Sequence, residues 1–176
     1  MVRFSFLPVV FLLCVASSYA TNIVDVQAIC KKAKTPSFCL NLLNSKPGGA
    51  GGDLVSLASY TIGVVRADVS NTITLLTKLI EQSGSDPKKQ DYYKNCLSNF
   101  GMDEGALGEV TEAQQLLKDF DYNGVNVHMS SVMTYVDDCL SGDSSPIQDT
   151  SLLPKYADVV DQVAQIILII SNMLQF

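Results

Sequence analysis

DLVSLASYTIGVVRADVSNTITLLTKLI, residues 53–80, places Leu54, Ala58, Ile62, Val65, Val69, Ile73, Leu76 and Ile80 on one stripe, in steps of four and three. A helix of 3.6 residues per turn brings such positions to one side, so the stretch reads as one long amphipathic helix. Asp53 offers its N-cap. Ser83-Gly84-Ser85 ends it, and Asp86-Pro87 opens the next helix with a cap and a proline in the first turn.

The same period continues downstream. Residues 87–118 carry Tyr93, Cys96, Leu97, Phe100, Leu107, Val110, Leu116 and Leu117, with Gly101, Gly105 and Gly108 weakening the middle. A third helix is expected from about Tyr122 to Leu140, burying Val125, Met129, Val132, Val136 and Leu140. Ser141 to Pro146 is a loop, and a fourth helix from Leu152 to Leu174 is expected to bury Tyr156, Val159, Val160, Val163, Ile167, Ile170 and Leu174. Strand patterns and internal repeats are absent. Four long amphipathic helices with short links fold most simply as an all-α, up-down-up-down four-helix bundle.

Upstream, two short helical patterns around Val24–Lys32 and Ser37–Leu43 are separated by Thr35-Pro36, followed by the glycine-rich linker 46–52. The expected layout is a helical hairpin over about 23–45 and a bundle over 53–176, in one domain spanning 21–176. Residues 1–20 read as a cleaved secretory signal: Arg3, an apolar run from Phe4 to Ala16, then Ser18-Tyr19-Ala20. The run is too short to span a bilayer, and so is Val163–Ile170, so no membrane association is expected after cleavage.

Of five cysteines, Cys14 leaves with the signal, and Cys30, Cys39, Cys96 and Cys139 remain. Four cysteines allow three pairings. Cys30 and Cys39 flank the proline break, where a bridge closing the hairpin would contribute about 2.7 kcal/mol by chain entropy. A Cys96–Cys139 bridge would tie the second bundle helix to the third. Counted from the turn near Asp121, Cys96 lies about 25 residues back and Cys139 about 18 forward, so two unbroken helices would miss by roughly 10 Å. A bulge or break is therefore expected within 101–108.

The segment 21–176 holds 11 Lys+Arg against 18 Asp+Glu, a formal −7 with Arg66 its one arginine. Clustered cations for phosphate are lacking, so nucleic-acid binding is not expected. Chemistry is sparsely provided for. His128 is the one histidine, and its charge change in mildly acidic surroundings could tune binding. A single histidine with bridged cysteines makes a poor metal site. Asp119-Phe120-Asp121-Tyr122-Asn123-Gly124 imitates the start of a calcium loop, but Ser130 stands where a bidentate glutamate is needed. Asp103-Glu104, Glu109, Glu112 and Asp137-Asp138 read as solvated carboxylates. No cofactor, metal or catalytic residue is expected. The third helix also carries Asn126, Ser130, Thr134 and Asp137 at helical spacing, small side chains that let another surface approach the backbone.

Cys30-x8-Cys39-Leu40 around Thr35-Pro36, Asp53-Leu54 with Leu57-Ala58, and Tyr93-x2-Cys96-x3-Phe100 form one ordered set with Asp121-Tyr122-Asn123, Ser130-Ser131, Asp138-Cys139 and Ile170-Ser171-Asn172-Met173-Leu174. In this order and spacing the chain resembles the plant invertase and pectin methylesterase inhibitors from about Ile23 to Leu174. The resemblance implies the bundle with its hairpin extension and the pairs Cys30–Cys39 and Cys96–Cys139. It further implies a non-enzymatic role: one-to-one binding across the substrate cleft of a cell-wall enzyme, with Asn126, Ser130, Thr134 and Asp137 as candidate contacts. Invertase inhibitors resemble one another in a Pro-Lys-Phe segment entering helix three. Here the place reads Tyr122-Asn123-Gly124, as in the pectin methylesterase branch. The expected partner is therefore an extracellular pectin methylesterase, with acid invertase as the rival. The glycine-rich stretch after Phe100 is longer than the family's usual one, so no contact is carried over to Tyr92 or Lys94. The reading from another class is a small-ligand carrier with Met129, Met133 and Tyr135 lining a cavity.

Overall fold

The computed structural model describes residues 24–142 and 149–175. The expected signal segment with Cys14, and most of the loop before the last helix, lie outside them. The described chain forms α1 (Val26–Cys30), α2 (Pro36–Asn44), α3 (Leu54–Gln82), α4 (Pro87–Phe100), α5 (Ala106–Lys118), α6 (Tyr122–Ser141) and α7 (Leu153–Leu174), with no strand among the described residues. The bundle is a ring in which α3 packs on α4, α5 and α7, and α6 packs on α4, α5 and α7. Helices α3 and α6 thus lie diagonally opposite.

Four of the helix starts carry an aspartate cap. The Asp25, Asp53, Asp86 and Asp121 carboxylates accept from the backbone N–H of Ala28, Ser56, Lys89 and Gly124, filling donors that a first turn leaves open. Before α7, the Ser151 hydroxyl accepts from Leu153 N–H while Asp149 accepts from Ser151 and from the Tyr93 hydroxyl of α4. The hairpin is closed by Cys30–Cys39 and rests on α7, where Lys34 N–H donates to Gln165 at 2.8 Å.

The expected second helix is two, α4 and α5, broken over residues 101–105. Its register explains the break. Cys96 to Phe100 and α5 together supply eighteen helical residues, matching the eighteen from Tyr122 to Cys139, and Cys96 meets Cys139 at a Cα separation of 4.6 Å. The kink is compact: the Gly101 carbonyl accepts from Leu107 and Gly108 N–H. A Cβ on Gly105 would lie 2.6 Å from the Ser98 carbonyl oxygen, and one on Gly108 would strike that of Met102. Backbone occupies the space that a side chain would need.

The core runs the length of the ring. Thr61 and Thr72 lie in it, fully buried, each hydroxyl bonded to the carbonyl four residues back. By length and apolarity α7 could cross a membrane, so the shortness expected of Val163–Ile170 does not describe the whole helix. Its packing does: Val160, Val163, Ile166, Ile167 and Ile170 are buried against α3 and α6. Tyr156 is not among them. It stands 36% exposed, on the rim of a groove with Asp68, Asn71, Lys155 and Val159.

Burial pushes the Asp68 carboxyl above its ordinary value of 3.8. An acid raised in the folded state binds its proton more tightly there, so stability is lost as pH rises from 3.8 through the raised value. Asp68→Asn removes that ionisation. It is expected to raise the melting temperature by about 1–2 °C at neutral pH, an advantage that shrinks on acidification. Calorimetry across pH 4 to 7.5 checks this, and an unaltered or lower melting temperature at neutral pH contradicts it.

Candidate partner-binding face

Helix α6 buries Val125, Met129, Val132, Val136 and Cys139. The opposite stripe, Asn123, Val127, Ser130, Thr134 and Asp137, is exposed. Ser130 and Thr134 donate to the carbonyls of Asn126 and Ser130, at 3.0 and 3.2 Å. These hydroxyls are satisfied within the helix and hold nothing else in place. The result is a low surface with acceptor capacity at each turn, flanked by Val127 at 55% exposure and the Asp137 carboxylate.

Asn126 sits differently from its sequence neighbours. Its amide donates to the Ser171 hydroxyl at 3.1 Å and toward the Leu168 carbonyl at 3.4 Å. It clips α6 to α7 and does not join the exposed stripe. His128 is half-buried at the side of α6, where Nδ1 meets Glu109 Oε2 of α5 at 2.6 Å. The contact belongs to the α5–α6 seam and lies apart from the exposed stripe.

The other candidate groups do not converge. Asp103 and Glu104 are exposed in the kink, Glu112 is exposed on α5, and Glu109 belongs to His128. In the calcium-like stretch, Asp121 caps α6 while Asp119 accepts from Gln115. Among the described residues no group of three or more His, Cys, Asp or Glu is placed to hold a metal ion. Of Met129, Met133 and Tyr135, Met133 lines an open groove of about 520 Å³ at the α6–α7 seam, bordered by Lys34, Asp137, Asp158 and Asp161. Burial raises the Asp161 carboxyl there; Lys34, 3.9 Å away, pulls it down, and Asp158 and Asp137 push it up again. Met129 is wholly buried in the core.

A family model described as plant invertase/pectin methylesterase inhibitor matches residues 24–173. Pectinesterase inhibitor 1 of Arabidopsis thaliana is 32% identical over 93% of this chain and 90% of its own length. The pectinesterase inhibitor of Actinidia deliciosa is 29% identical over 85% and 78%. Among solved structures, the crystal structure of mutant form A of a pectin methylesterase inhibitor from Arabidopsis superposes with a TM-score of 0.74. It is 30% identical, with 84% of this chain and 95% of that one covered. A second Arabidopsis thaliana pectin methylesterase inhibitor structure gives 0.64 at 31% identity, covering 85% and 95%. Helical architecture, bridged cysteines and an almost full-length match agree, and the chain belongs to the plant invertase/pectin methylesterase inhibitor family.

Proposed function

We propose that this chain is a secreted inhibitor of plant pectin methylesterase, forming a one-to-one complex in which the exposed face of α6 lies across the substrate cleft and keeps pectin out. The observation that carries the reading is the near full-length similarity to proteins named pectinesterase inhibitors. The exterior supports it: Ser130 and Thr134 present a low polar surface with nothing behind it to rearrange, and Asp137 supplies charge that steers a cationic partner. Both cysteine pairs are bridged, as suits an oxidising extracellular compartment, and the expected signal at 1–20 agrees with export to the cell wall.

Mixing the oxidised protein with a plant pectin methylesterase and, separately, with a cell-wall acid invertase tests this directly. Acid release should fall to a residual level at about one equivalent of inhibitor while sucrose cleavage continues. Loss of invertase activity alone assigns the chain to the other branch of its family. Retention of both activities overturns inhibition altogether.

A further inference from the structure

We propose that Phe120, at the tip where α5 turns into α6, is an aromatic anchor that enters an apolar depression of the target enzyme's cleft. The inference rests on the inhibitor reading above and adds a contact that the α6 face alone does not contain.

The backbone makes the case. Asp121 N–H bonds to the Leu116 carbonyl and Phe120 N–H to that of Leu117, at 2.9 and 3.3 Å. This 6→1 and 5→2 pair closes a helix through a residue in the left-handed region, a position that glycine normally fills. Here it is Phe120, with φ 59°, and no other described non-glycine residue has positive φ. A bulky side chain there is a true outlier, because Cβ crowds the following carbonyl. Strain of this kind persists where surrounding bonds hold it, as these two hydrogen bonds do, and it gathers at functional sites.

The ring does nothing for the core in return. It is 69% exposed, the most exposed large apolar side chain among the described residues. Among the described residues its ring contact is edge-on to Tyr122, at 6.5 Å between centroids and 89°, which leaves most of the ring uncovered. Val127, also exposed, follows about a turn and a half into α6. The anchor is thus continuous with the proposed contact face. An enzyme cleft that holds pyranose chains offers flat apolar surfaces to their C–H faces, and a projecting phenyl ring competes for such a surface.

Three variants test this against pectin methylesterase, with acid invertase run in parallel. Phe120→Gly removes both ring and strain. The melting temperature should rise by about 2–4 °C while the inhibition constant rises at least about 30-fold. Phe120→Ala removes the ring but keeps Cβ in the left-handed region, so inhibition should fall equally without the thermal gain. Met102→Gln changes another exposed apolar residue, in the α4–α5 kink, and should inhibit as wild type does. If wild type inhibits and Phe120→Gly matches it, the anchor is overturned and the inhibitor reading stands. If wild type inhibits neither enzyme, both fall. An equal loss in Met102→Gln also overturns the anchor, since general surface apolarity would then explain the effect.

Discussion

Replacing Cys96 and Cys139 together by alanine is expected to lower the unfolding free energy by about 4 kcal/mol and the melting temperature by about 10 °C. The bridge spans 43 positions and joins α4 to its ring neighbour α6. Its removal releases the longest loop that either bridge closes, which on chain-entropy grounds is the larger gain for the unfolded state. Both residues are buried, at 0% and 3% exposure, so the native state also loses packed sulfur. The bridge further holds α4 in register below the kink, where the compact 101–105 segment interrupts the helix. Cys30→Ala with Cys39→Ala should behave differently. That bridge closes a separation of 9 within a hairpin that packs chiefly on α7. The same entropy argument sets its loss at about 2.7 kcal/mol, falling mainly on local opening. Circular dichroism melts of both double variants under non-reducing conditions decide the matter. A larger drop in the main transition for the hairpin pair would contradict this account.

Much of the architecture was legible because each bundle helix packs mainly one face, and a one-sided stripe leaves its period in the sequence. The break in the second long helix was legible through arithmetic: two cysteines unequally distant from a turn meet only if one arm is shortened. What escaped has physical causes. Thr61 and Thr72 are core residues, yet they look polar in sequence; each hydroxyl bonds within its own helix, so neither is buried unsatisfied. Tyr156 reads as inward because α7 is apolar over so wide an arc that the pattern names no single face. Asn126 shares its spacing with Ser130 and Thr134, and spacing alone does not say which amide lies beside Ser171 of a neighbouring helix. Phe120 carries its information in a backbone dihedral. Its only sequence trace is an aromatic in Asp119-Phe120-Asp121, at a helix end where glycine would be ordinary.

The α6 face should show the largest functional effect. Ser130→Trp and Thr134→Trp, made separately, are each expected to weaken pectin methylesterase inhibition by about 100-fold or more. The proposed contact depends on close approach to the helix backbone, and an indole holds the two surfaces apart over several ångströms. Such a clash discriminates more strongly than the loss of one hydroxyl bond, which is worth only about 1 kcal/mol. The fold gives no reason for these variants to unfold. Both positions are exposed and both hydroxyls bond only to their own helix, so the melting temperature should hold within about 2 °C. Thr77→Trp is the matched control. Thr77 is likewise exposed and bonded to the carbonyl four residues back, but it lies on α3, diagonally opposite α6. It makes the same change of chemistry on the far side of the bundle and should leave inhibition unaltered. Together the three variants separate a directional face from a general intolerance of bulk. Equal inhibition by Ser130→Trp, Thr134→Trp and wild type would remove α6 from the interface, while loss in Thr77→Trp alone would move the interface to α3.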